Sequence, residues 1–255
     1  MTKFTGTVEC SKNLTDNLKH LYNGNYMNVL LKIIRKDETL YSLIRQALQV
    51  KSFFLVDTAY CEEIRFKREV VLGSIDYSLS IQPMENGVSI QGNFSQQGIE
   101  TTLFKILLNH HEKEKEKTDL CLVSQERRQH ELTSDCIAGM VNVATIKGLL
   151  EVERGRFLSL TIDGQGNYYK MMREKQRAFI SSKTKFSYNQ PLFPGELYTI
   201  ETFIPKNIIG VEVLKIPFYQ ELRDKEGNIV ATSENDMAQV IIGEKKLQRT
   251  FIKKL

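Results

Sequence analysis

The chain has 255 residues, 41% hydrophobic and 26% charged, which is enough apolar material for a buried core and excludes a chain disordered throughout. Lys plus Arg outnumber Asp plus Glu by 35 to 31, a balance too mild to argue for a nucleic-acid partner. No run approaches the roughly 18 apolar residues of a membrane span, and the start MTKFTGTVECSKNLTDN lacks the apolar stretch of a signal peptide, so the expected compartment is the cytoplasm.

In chain order, a lead-in strand is followed by Thr15-Asp16 and then by an amphipathic helical segment carrying Met27, Leu30, Leu31 and Ile34. Strand-like runs follow: Ile64 to Phe66 leading to Gly73, Ile75 to Ile81, Phe94-Ser95-Gln96 with a turn at Gly98, and Leu103 to Leu108. His110 to Lys117, HHEKEKEK, has no apolar residue and reads as a solvated linker. Beyond it the order repeats. Ser134-Asp135 precedes a helical segment with Ile146, Leu149, Leu150 and Arg154. Then come Thr184 to Phe186, a turn at Pro191 and Gly195, Leu197 to Phe203, Phe218-Tyr219-Gln220, and a turn at Gly227.

The two halves match residue by residue. Asp16, His20, Asn23 and Tyr26 answer Asp135, Gly139, Asn142 and Thr145, each at an offset of 119 positions. The offset reaches 124 at Phe94 and Phe218 and 129 at Gly98 and Gly227, as lengthened loops in the second copy would require. The expected fold class is α+β, built from two copies of one unit spanning residues 1–109 and 118–255, joined by the linker 110–117.

Cys10, Cys61, Cys121 and Cys136 are far apart, with no C-x-x-C pair and no histidine at zinc-ligand spacing, so free thiols and no metal site are expected. Cys136 lies beside Asp135 with no local histidine to activate it, which favours a packed thiol over a nucleophile. His110, His111 and His130 sit in charged stretches and read as solvated, and Lys245 to Lys254 reads as a frayed basic tail. Asp16 and Asp135 precede helices, where capping alone favours aspartate. Asn23 and Asn142 read as amides that bond the loop backbone.

The segment Asp16-Asn17-Leu18-Lys19-His20-Leu21-Tyr22-Asn23-Gly24-Asn25-Tyr26-Met27 resembles the D-x-x-G-H-x-N-N-x-x-Y-L signature of hotdog-fold thioesterases of the 4-hydroxybenzoyl-CoA thioesterase type. In the second half, Glu151-Val152-Glu153-Arg154, Tyr188-Asn189-Gln190-Pro191 and Gly195-Glu196-Leu197 are similar to the E-x-x-R, Y-x-x-P and G-D-x-L of the same family. The resemblance implies two tandem hotdog units, each an antiparallel sheet wrapped around a central helix, paired as an intrachain pseudo-dimer. It implies hydrolysis of acyl-CoA or acyl-carrier-protein thioesters with no cofactor, and leaves assembly open, a homo-oligomer of the tandem chain included.

The same resemblance assigns Asp16 and His20 to catalysis, and Asn23, Gly24, Asn25, Asp135 and Asn142 to substrate binding. Backbone amides around Asn23, Gly24 and Asn25 would stabilise the oxyanion. Lys19, Gly139 and Thr145 depart from the signature, which makes the first copy the better equipped one. They also support a rival reading, an acyl-CoA or acyl-chain binding protein without turnover. A hotdog hydratase or dehydratase ranks behind both.

Overall fold

The computed structural model describes residues 2–14, 21, 25–129, 136–137, 139–163, 177–208, 215–241 and 250–251. They form two compact units: residues 1–112 with 142–144 and 185–191, and residues 113–141 with 145–184 and 192–255.

In the first unit, β1 (Thr2–Cys10) precedes α1 (Tyr26–Lys36) and α2 (Glu38–Leu48). Four strands follow: β2 (Tyr60–Phe66), β3 (Gly73–Met84), β4 (Gly87–Gln96) and β5 (Ile99–Leu108). They hydrogen-bond in the spatial order β1-β3-β4-β5-β2, and β1–β3, β3–β4, β4–β5 and β5–β2 are all antiparallel. On β3, Ile75, Leu79 and Ile81 are buried while Asp76 and Ser78 are exposed, the period-2 pattern of a sheet with one wet face.

α1 buries Tyr26, Met27, Val29, Leu30, Ile33 and Ile34, a stripe at helical spacing. Each such Leu or Ile contributes about 1.5–3 kcal/mol on burial. The single helical segment expected for the first half is two helices. Asp37, in an extended conformation (φ −106°, ψ 103°), breaks the run, and its side chain accepts the Leu40 amide at 2.9 Å to cap α2. A short polar residue able to bond its own downstream backbone thus overrode the continuous apolar periodicity.

The second unit repeats this plan. β6 (Leu120–Gln129) is followed by the short pair β7 (Cys136–Ile137) and β8 (Met140–Val141), then α3 (Val143–Asp163). Next come β9 (Arg177–Tyr188), β10 (Leu197–Pro205), β11 (Lys215–Arg223) and β12 (Ile229–Ile241), with β13 (Thr250–Phe251) paired to β12. Their spatial order is β6-β10-β11-β12-β9. With β6 answering β1 and β9 to β12 answering β2 to β5, this is the order of the first unit, strand for strand. The core of this unit packs Leu158 of α3 with Phe179, Ile204, Ile216, Phe218 and Met237 from the sheet.

The run Lys113–Lys117 is not a free tether. Lys115 lies over the Tyr219 ring at 5.1 Å and pairs with Glu234 at 2.8 Å. Lys117 lies over the Phe203 ring at 5.0 Å and reaches the fully buried Glu221 at 2.7 Å. The run stays largely exposed, but its two ammonium groups sit over aromatic rings and pair with carboxylates, which a reading by polarity alone misses. In the first unit, Glu112 exchanges backbone and side-chain hydrogen bonds with Asn189 (3.0 and 3.2 Å), and its carboxylate accepts from Lys185 (2.8 Å) and Ser187 (3.3 Å).

Two predictions follow from this packing. A Cβ on Gly92 would lie 2.2 Å from the Ser78 carbonyl oxygen and press on Leu79 and Phe104, whereas on Gly6 it would meet the Tyr77 hydroxyl at 2.6 Å, the far end of a side chain that can swing aside. Gly92→Ala should therefore cost about 2–3 kcal/mol in denaturant unfolding, and Gly6→Ala less than about 1 kcal/mol.

Burial acts to raise the Glu112 carboxyl, but the Lys185 ammonium and the Ser187 hydroxyl outweigh it and hold the group below its ordinary value of 4.5. A depressed carboxylate stabilises the fold above its unfolded-state pKa and loses that contribution as pH falls through its folded value. Glu112→Gln should lower unfolding stability at pH 7, and the gap to the parent should close below about pH 4.5 in urea titrations at stepped pH.

Candidate functional site at the helix starts

Of the residues assigned from the sequence, Asn25 and Asn142 fall within the described structure; Asp16, His20, Asn23, Gly24 and Asp135 lie outside the described residues. Asn25 and Asn142 each stand immediately before a helix, since α1 starts at Tyr26 and α3 at Val143; the sequence match of Asn142 is Asn23, outside the described residues.

The two asparagines do different work. Asn142 Oδ1 accepts the Ala144 amide at 2.9 Å, an N-cap bond that satisfies one of the orphan donors of α3. Asn25 makes no side-chain cap bond to its helix. Its Nδ2 donates to the Leu14 carbonyl at 3.0 Å, and its Oδ1 accepts Asn28 Nδ2 at 2.9 Å. The side chain therefore holds the chain where it leaves the 3-10 turn Lys12–Leu14 and does not occupy the α1 amides.

Around the start of α1, Tyr26 is buried, with its ring 5.2 Å from Phe66 edge-on and 6.2 Å from Phe94 in a stacked arrangement. Phe94 in turn contacts Phe104 at 4.8 Å. This aromatic cluster ties the first turn of α1 to β2, β4 and β5. The Leu21 amide donates to the Val70 carbonyl at 2.7 Å.

The start of α3 is built otherwise. Ile137 pairs with Met140 across β7 and β8, and Gly139 in that turn has φ +78°. The position that answers His20 is thus one where a left-handed backbone favours glycine. Cys136 pairs with Val141 in the same short ladder, and the four cysteines are free thiols. The Val141 amide donates to the Leu192 carbonyl at 2.8 Å.

Farther along α3, two charges sit on the inward stripe, Glu153 at 1% and Arg154 at 5% exposure. Glu153 pairs with Arg128 of β6. Arg154 donates to Gln220 Oε1 at 3.2 Å, and Gln220 Nε2 donates to the Leu150 carbonyl at 2.9 Å and to Thr202 Oγ1 at 3.1 Å. Gln220 is the polar hub of this core. Its sequence signal is the match of Phe218-Tyr219-Gln220 to Phe94-Ser95-Gln96, which marked Gln96 as well.

Among the described residues no group of three His, Cys, Asp or Glu side chains is placed to hold a metal ion. Among them, too, no helix is long and apolar enough to cross a membrane. What the described geometry offers chemically is a helix N-terminus whose amides are not occupied by the Asn25 side chain, seated on the Tyr26, Phe66 and Phe94 rings.

No protein-family model and no curated protein sequence matches the chain. Among solved structures it is similar to a 12:0-ACP thioesterase from Umbellularia californica, with 10% identity and a TM-score of 0.60 over 93% of this chain and 94% of that one. It is similar also to an acyl-ACP thioesterase from Bacteroides thetaiotaomicron VPI-5482, with 10% identity and a TM-score of 0.59 over 92% of this chain and 97% of that one. The likeness covers both units, and the chain accordingly has the tandem hotdog fold of these thioesterases.

Proposed function

We propose that the protein is an acyl thioesterase of the cytoplasm, hydrolysing acyl-CoA or acyl-carrier-protein thioesters to the free acid and thiol, with its working site at the start of α1. The observation that carries this reading is the match of both hotdog units, over more than nine tenths of the chain, to acyl-ACP thioesterases. Two further features support it: the signature residues Asp16 and His20 before α1, and an Asn25 that leaves the first-turn amides of that helix uncapped by its side chain.

In this reading Asp16 either attacks the thioester carbonyl or takes the proton of the attacking water, and His20 orients it or bonds the thioester. The amides at Asn23, Gly24 and Asn25 receive the charge that develops on the carbonyl oxygen, where the helix dipole favours it. The C–S bond breaks, and the thiolate leaves with a proton from water; where Asp16 is the nucleophile, a water then hydrolyses the acyl–Asp16 anhydride, releasing the acid and restoring the carboxylate. Asn142, and Asp135 with it, belong to the less equipped copy: Gly139 stands where the histidine would be, and Asn142 caps α3.

Asp16→Asn keeps size and capping ability but removes the base or nucleophile, so it should lower thioester turnover by about 100-fold or more. Asp135→Asn should cost little turnover and at most ~1 kcal/mol of stability. Thiol release under saturating substrate, with thermal melting as the folding control, checks the pair. An Asp16 variant as fast as the parent would remove this site. Acyl-CoA binding without turnover in the parent would replace the reading with that of a binding protein.

A further inference from the structure

We propose that the wet face of the first sheet is a docking surface for an acidic segment of a partner protein. The proposal does not depend on the reaction proposed above, and the residues that carry it all lie in the first unit.

On β3 and β4 the residues that alternate with the inward Leu79, Ile90 and Phe94 point to the other side, where register lines them up in rows across the sheet. One row crosses all five strands: Lys3 pairs with Ser80, Ser80 with Gln91, Gln91 with Lys105, and Lys105 with Glu63. The adjacent row runs from Ser78 through Asn93 and Leu103 to Arg65. Together they line a groove of about 540 Å³. Leu103 is the one apolar residue of the two rows; hydroxyls and amides fill the middle, and cations stand toward the ends.

The rows hold three cations and one carboxylate. Arg65 Nη2 lies 3.2 Å from Glu63 Oε1, so these two charges offset each other. Lys3 and Lys105 enter no ion pair among the described residues. They stand three strand spacings apart, about 14 Å between backbones. That separation points to carboxylates carried on one polypeptide, because about four extended residues or nine helical ones span it. A peptide between the two lysines also meets Ser80 and Gln91, which a single phosphate would leave unused. The rows carry no aromatic ring on which a nucleic-acid base could stack.

The second unit shows such a face occupied. Its matching strands β10, β11 and β12 turn Glu201, Glu221 and Glu234 outward, and the run Lys113–Lys117 lies on them, Lys117 on Glu221 and Lys115 on Glu234. An acidic face there carries a basic peptide. The first unit has the same face with the opposite charge, and its Lys3, Ser78, Gln91 and Lys105 are exposed. Its complement is a peptide rich in Asp and Glu, since like charges are rejected and opposite ones steer association.

The probe is a fluorescein-labelled peptide of alternating Glu and Ser, about ten residues long so as to span both lysines, read by anisotropy on the full chain. A Lys and Ser peptide of equal length is its opposite. The parent should bind the Glu and Ser peptide with a Kd below about 100 µM at about 50 mM salt, and about tenfold more weakly at about 300 mM. Lys3→Glu and Lys105→Glu should each weaken binding about threefold and together about tenfold or more, while Lys51→Glu, at an exposed lysine outside the rows, should stay within about twofold. Thermal melting checks that the variants fold. A parent that does not bind this peptide, or binds the Lys and Ser peptide as well, overturns the proposal, as does an equal loss in Lys51→Glu. Equally tight binding of an oligodeoxythymidine or of phosphatidylserine vesicles, lost in the same double variant, overturns it in favour of that polyanion. A parent that sediments as a dimer, made monomeric by the double variant, overturns it in favour of a second copy of this chain.

Discussion

A five-stranded antiparallel sheet hydrogen-bonded in the order first, third, fourth, fifth, second strand has one apolar face that must be covered, and the element available is the helix that follows the first strand. Everything else in this protein follows from that requirement, met twice. Ile75, Leu79, Ile81, Ile90 and Phe94 give the first sheet its apolar face, and α1 brings a stripe from Tyr26 to Ile34. Because the helix has to dock with that stripe inward, its N-terminus is placed by the sheet. Tyr26 against Phe66 and Phe94 is that placement in side chains.

The two copies meet the requirement differently, and the difference bears on function. α1 is short, stopped at Asp37, and carries an apolar stripe. α3 runs for 21 residues and takes Glu153 and Arg154 inward, where Glu153 forms an ion pair with Arg128 and Arg154 donates to Gln220. Buried charges that are paired are tolerated, while breaking such a pair is expensive, so this network fixes α3 against its sheet. It leaves the polar groups of the second core committed to each other. In the first unit the comparable glutamine is free of the core and bonds Val71.

The fold was legible in the sequence because alternation and helical spacing are direct consequences of a sheet with one buried face and a helix laid across it. Positions matched across the halves, 119 apart at Asn23 and Asn142 and 124 apart at Phe94 and Phe218, reported the duplication. What escaped were features decided by a single side chain bonding backbone. Asp37 ends a helix whose apolar pattern runs on, and Lys115 and Lys117 set their ammonium groups over aromatic rings although their sequence neighbours are all polar. Gln96 looked like one more polar residue before a turn, and its two bonds to the Val71 backbone follow a register shift that spacing does not encode. Gly139 was legible as the loss of a histidine but not as the left-handed position of a two-stranded turn.

The central claim is that this tandem hotdog chain turns over acyl thioesters. The most direct measurement is thiol release by the full chain from a series of acyl-CoA thioesters of graded length, and from the same acyl groups carried on acyl-carrier protein. Release should be saturable, with acid and thiol in equal amounts and a dependence on chain length. A folded protein that releases no thiol from any member of either series would contradict it.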